Sequence, residues 1–105
     1  MSESRNGFDI EAIDEVIHGR IRLGVMAYLS GVETAEFNEL KARLQATDGN
    51  LSVHLRKLED AGYVEVRKTF VDRKPRTSIT ISDVGRAAFV RYLDAMQKLV
   101  AEAGG

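Results

Sequence analysis

In the segment from Thr47 to Val66, TDGNLSVHLRKLEDAGYVEV, Leu51, Leu55 and Leu58 recur at i, i+4 and i+7. That spacing ties one face of a helix to a core and turns Gly49, Asn50, Val53, Arg56 and Lys57 outward. Ala61-Gly62 closes the helix, because glycine takes the left-handed conformation that ends a helix without steric cost. The period then drops from helical to two. Val64 and Val66 alternate with Glu65 and Arg67, and Ile79 and Ile81 alternate with Ser78 and Thr80. This predicts a two-stranded hairpin with one buried face and a tip at Val71-Asp72-Arg73-Lys74-Pro75.

Upstream, Ile10, Ile13, Val16 and Ile17 fall at helical spacing and predict a terminal helix over about 9–17. After Gly19 the pattern continues through Ile21, Val25, Met26 and Leu29, with Gly31 as the stop. Thr34 is placed to cap a short helix carrying Phe37, Leu40 and Leu44 on one face. Glu36 and Glu39 in its early turns and Lys41 and Arg43 later complement the helix dipole.

Ser82 or Asp83 can cap a last helix over about 83–103. Phe89, Tyr92, Met96 and Leu99 take a and d positions on it, and Leu93 and Val100 widen the apolar face beyond the roughly 100° stripe of a surface helix. A face that wide predicts a second partner. The expected dimer interface combines Ile10, Ile13 and Ile17 with Phe89, Tyr92, Leu93, Met96, Leu99 and Val100.

The fold class that follows is mainly α with a small β-hairpin (α+β). It forms a single domain over residues 1–105, with a core over about 17–82 and terminal helices for dimerisation. At 105 residues, 44% of them hydrophobic, the chain is long enough for one small core and too short for a further sensor domain.

The chain has no cysteine, which removes disulfides, thiolate metal sites and cysteine nucleophiles. His18 and His54 lack a second histidine at ligand spacing, and zinc needs three or four ligands, so no metal is expected. The carboxylate pairs Asp14-Glu15 and Glu59-Asp60 are adjacent in sequence and diverge on a helix. No nucleophile with a base and no phosphate loop is present, so neither an enzyme nor a cofactor is expected. The opening MSESRNGFDI has no signal-peptide core, and no stretch reaches the roughly 18 apolar residues of a membrane span; a cytoplasmic protein is expected.

The formal net charge is -1, but the charge is unevenly distributed. Lys41 to Arg76 holds nine basic and five acidic residues, and the remainder holds six and eleven. A basic middle lies between acidic ends, and five of its cations, Arg67, Lys68, Arg73, Lys74 and Arg76, belong to the hairpin.

The run from Ile17 to Leu99 resembles the winged helix-turn-helix regulators of the MarR and ArsR type, most closely the small stand-alone members with helices at both ends. The matching blocks are IHGRIRLGVMAYL (Ile17 to Leu29), FNELKARL (Phe37 to Leu44), TDGNLSVHLRKLEDAGYVEV (Thr47 to Val66) and DRKPRTSITISDVGRAAF (Asp72 to Phe89). Gly19, where relatives often carry proline or serine, and the overall acidity depart from that pattern. The resemblance implies a dimeric DNA-binding regulator that places the Asn50 helix in the major groove and the Arg73 hairpin along the backbone or minor groove.

Within that reading the expected DNA contacts have distinct chemistries. Thr47 caps a helix N-terminus whose amides can face a phosphate, and Gly49 allows close backbone approach. Asn50 matches an adenine edge, Val53 a thymine methyl group, and Arg56 a guanine or a phosphate. Ser52, Lys57, Arg67, Arg73, Lys74 and Arg76 are expected on phosphates, with Pro75 stiffening the hairpin tip. The expected partner is double-stranded DNA bearing a palindrome, bound by a homodimeric repressor, with a small-molecule effector an open addition. A protein-interaction module is the alternative, and it has no need of the basic hairpin.

Overall fold

The structure, a computed structural model, describes residues 9–104; the opening stretch read above for a signal peptide lies mostly outside them, as does Gly105. Four helices and three strands follow in the order α1 (Arg20–Val32), β1 (Thr34–Glu36), α2 (Phe37–Leu44), α3 (Asp48–Asp60), β2 (Val64–Val71), β3 (Lys74–Ile81) and α4 (Asp83–Gly104). The strands form an antiparallel sheet in the order β1-β3-β2.

Ile17, Val25, Met26, Leu29, Leu40, Leu51, Leu58 and Ile79 are fully buried at its centre. The leucine stripe of α3 is therefore core, as its spacing predicts. Gly24 lets α1 and α2 approach: a Cβ there would stand 2.6 Å from Leu44 Cδ2.

The expected helix over 9–17 does not form. Residues Ile10–Ala12 make one 3-10 turn, and the chain then turns over Asp14 before α1 begins. The reason is local. The Asp14 carboxylate accepts from the backbone N–H groups of Val16 (2.8 Å) and Ile17 (3.3 Å), competing with helical pairing. Its other oxygen accepts from the Tyr63 hydroxyl at 2.5 Å. Burial and the adjacent Asp14 carboxylate push the Tyr63 hydroxyl up to about 12. Ile13 and Ile17 still reach the core, but from a turn.

Three further expectations are corrected. Helix α1 runs through Gly31 to Val32 and ends at Glu33, whose φ is 73°. Thr34 opens β1 instead of capping α2, so the hairpin is joined by a third strand. Ala35 is buried opposite Ile79, and the Thr34 and Thr80 hydroxyls bond at 2.9 Å. The cap of α2 is Glu36, whose N–H donates to Glu39 Oε1 at 3.2 Å. Finally, the hairpin tip is tighter than expected. Val71 pairs with Lys74, leaving a two-residue turn of Asp72 (φ 53°) and Arg73 (φ 66°), with Lys74 and Pro75 already in β3.

The core extends past the expected limit near residue 82 into α4, where Ala88, Phe89 and Tyr92 are buried. Ser82 fixes the start of that helix: its hydroxyl accepts from Gly85 N–H (2.9 Å) and donates to Gly62 O (2.6 Å). Gly85 is required by close approach, since a Cβ there would lie 2.1 Å from the Tyr63 carbonyl oxygen. From this joint α4 runs outward, and the protein measures 56 × 24 × 23 Å.

Candidate nucleic-acid interface

Thr47 caps α3 with its hydroxyl accepting from Asn50 N–H at 3.1 Å, so that oxygen is already engaged within the chain. The first turn carries Asp48, whose carboxylate lies 2.7 Å from Lys41 Nζ. Gly49, Asn50, Ser52, Val53, Arg56 and Lys57 are all exposed along the helix. A Cβ on Gly49 would meet nothing within 4 Å, so the fold itself does not require a glycine there.

At 100° per residue Ser52 and Arg56 lie toward one flank of α3, and Asn50 and His54 toward the other. The first flank faces the hairpin. Ser52, Arg56 and Glu59 line a groove whose opposite wall is Val66, Lys68 and Thr77. Val64, Val66, Lys68 and Phe70 share one face of β2 by alternation, so the face that is core at the hairpin base becomes the groove wall further out.

The same alternation separates the hairpin cations. Arg67 and Arg76 point away from the groove. Arg67 lies 3.8 Å from Glu65, and Arg76 donates to Glu36 at 2.6 Å. Arg73, Lys74 and Lys68 make no ion pair among the described residues. Of the residues expected to meet DNA, the structure brings Ser52 and Arg56 together with Lys68, and it carries Arg73 and Lys74 at the tip. Lys68 was absent from the contacts drawn from the sequence. Its signal was the alternation Val64, Val66, Lys68, which aims it at α3.

On the other flank, Arg22 of α1 ties three elements together. Its Nε donates to Val16 O (2.6 Å), Nη2 to His18 O (3.4 Å) and Nη1 to His54 Nδ1 (2.7 Å). A guanidinium can only donate, so His54 Nδ1 must be unprotonated. Burial, with the Arg22 and Lys57 charges, holds the His54 pKa below the usual histidine value. His18 Nδ1 in turn bonds the Tyr92 hydroxyl of α4 at 2.9 Å. Both histidines have structural partners, and among the described residues no group of three His, Cys, Asp or Glu could hold a metal ion.

The expected dimer interface is partly withdrawn into the chain itself. Ile13, Ile17, Phe89 and Tyr92 are buried in its own core, and Met96 and Leu99 are half-buried. Leu93 (49% exposed), Val100 (63%) and Ile10 (65%) remain outside. Ile10 and Ile13 form an apolar groove with Met96 and Leu99. Among the described residues no helix is long and apolar enough to cross a membrane.

Comparison with known proteins matches residues 21–100 to a family described as a winged helix DNA-binding domain. An uncharacterised protein of Methanocaldococcus jannaschii is 42% identical over 79 residues, covering 75% of this chain and 86% of that one. The structure of a transcriptional regulator homologue from Pyrococcus horikoshii superposes with a TM-score of 0.80 at 32% identity, covering 86% of this chain and 89% of that chain. A MarR-family transcriptional regulator from Silicibacter pomeroyi shares the fold at a TM-score of 0.61 and 21% identity, over 84% of this chain and 58% of that one.

Proposed function

Since the chain belongs to the winged helix DNA-binding domain family, we propose that it is a sequence-specific transcriptional regulator, a dimeric repressor with no enzymatic activity. In this reading α3 enters the major groove and the hairpin, the wing, follows the backbone into the adjacent minor groove. The observation that carries it is that Arg56 and Lys68 face each other across the groove between α3 and the wing, with Arg73 and Lys74 at the tip making no ion pair among the described residues. Cations on two elements facing one groove suit a phosphate strand running between them. Glu59, at the inner end, restricts such a strand to the Ser52 and Arg56 half.

Asn50, Val53 and Arg56 supply base-edge chemistry, while Thr47, Gly49, Ser52 and Lys57 supply close approach and phosphate contacts. Arg67 and Arg76 are assigned a supporting role, releasing their carboxylate partners only if a phosphate replaces them. A symmetric dimer joined through α4 reads a palindrome with half-sites about 34 Å apart.

Selection from a randomised duplex library, followed by affinity measurements across salt concentrations, tests this reading. A recovered palindrome and a steep fall of affinity with salt are expected. Arg73→Ala should flatten the slope of log affinity against log salt by about one unit on every sequence, whereas Asn50→Ala should relax preference at one position. A library yielding no motif, with salt-insensitive binding, would leave a protein-interaction module as the better account.

A further inference from the structure

Phe70 is 75% exposed, the most exposed of the large apolar side chains among the described residues, and it stands near the tip of the hairpin that carries Arg67, Lys68, Arg73, Lys74 and Arg76. Neither the core nor the groove between α3 and the wing uses it. Its cross-strand partner is Pro75, so the two side chains share one face, and alternation makes that the face of Val66 and Lys68, toward α3. Two positions beyond Lys68, the wing thus presents an apolar knuckle on the side from which the recognition helix projects. The knuckle is flanked on its own face by Lys68 behind and by Arg73 in the turn, while Lys74 lies on the opposite face of the hairpin.

We propose that Phe70 and Pro75 form an apolar wedge that the wing seats in the minor groove next to the major groove holding α3, against deoxyribose walls and the exposed base step. The inference rests on the DNA-binding reading above. The occupant follows from charge complementarity. An apolar knuckle bordered by the Lys68 and Arg73 cations fits a surface whose rim is phosphate and whose floor is apolar sugar and base edge. A protein groove would need an acidic rim around an apolar floor. Pro75 adds a fixed backbone at the point of insertion, lowering the entropy lost on docking. A wedge contributes without neutralising phosphate, so its loss differs in kind from loss of a cation.

The test uses the full chain and a duplex recovered by library selection. Phe70→Ala should lower affinity roughly tenfold, the scale expected for an aromatic side chain leaving a contact, with the salt slope unchanged. The protein contains no tryptophan, so Phe70→Trp places a single indole at the wedge. Its emission should shift to the blue and resist acrylamide quenching when the duplex is added, and a minor-groove-binding polyamide should reverse both. An indole whose emission ignores the duplex, or Phe70→Ala affinity equal to wild type, overturns the wedge while leaving DNA binding intact. Shielding that grows with protein concentration in the absence of DNA overturns it in favour of a contact between copies. A wild-type chain that captures no duplex removes the DNA-binding reading and the wedge with it.

Discussion

Asp72 and Arg73 occupy the two positions of the wing where a side chain is least comfortable. Both have positive φ, in a two-residue turn that suits Asn-Gly and strains a residue with a Cβ. The proposed function gives an arginine held there against its own backbone preference a use for its charge. Asp72→Asn combined with Arg73→Gly should therefore raise stability by about 1 kcal/mol, read as a higher urea midpoint, and should weaken DNA binding at low salt. A double variant that unfolds more easily would mean that contacts of the two side chains, and not turn geometry, hold the tip.

Between elements, the contact most open to titration is the one from α1 to α3. His54 accepts from Arg22 only while neutral, and burial with the Arg22 and Lys57 charges keeps its pKa below the ordinary value. The folded state thus favours the neutral ring. The contribution is present above the ordinary histidine pKa and is lost as pH falls through the lowered folded value. Denaturant midpoints should drop on going from neutral to mildly acidic pH, and His54→Gln should reduce that dependence. An identical pH profile in the variant would show that Arg22 holds α3 without the imidazole.

Elements with a repeating pattern were legible in the sequence: the Leu51, Leu55, Leu58 stripe, the alternation of β2 and β3, and the α4 register each emerge as read. What was not legible depended on a single competing contact. The helical spacing of Ile10, Ile13 and Ile17 is real, but the Asp14 carboxylate draws off the amides that a helix needs. Strand β1 has three residues and one buried side chain, too little for a period to register, and it exists because β3 offers an edge. Which wing cations are free was equally hidden, since Glu36 is forty residues from Arg76 in sequence and reaches it only through the third strand.

For the molecule as a whole, the long axis of 56 Å and the outer face of α4 carry the dimer proposal. Leu93 and Val100 are exposed on that face among the described residues, so Leu93→Glu with Val100→Glu should leave the fold intact and separate the copies. Light scattering should give twice the 11.6 kDa of one chain for wild type and a single chain for the variant, with DNA affinity falling alongside. Wild type that stays monomeric at micromolar concentration would remove the palindrome from the reading.

The joint where Gly85 lies on the Tyr63 carbonyl fixes the angle at which α4 leaves the wing and α3. With Ser82 bonded to Gly62 on the same side, α4 and α3 are joined at one corner and form a bracket. Its two ends answer to different demands. Under the proposed function, in which α3 reads bases and α4 joins two copies, substitutions on α3 retune which bases are recognised, while substitutions beyond Tyr92 retune how far apart a pair of such brackets sits. Within this architecture vocabulary and spacing can drift separately, provided the corner between them keeps its glycine.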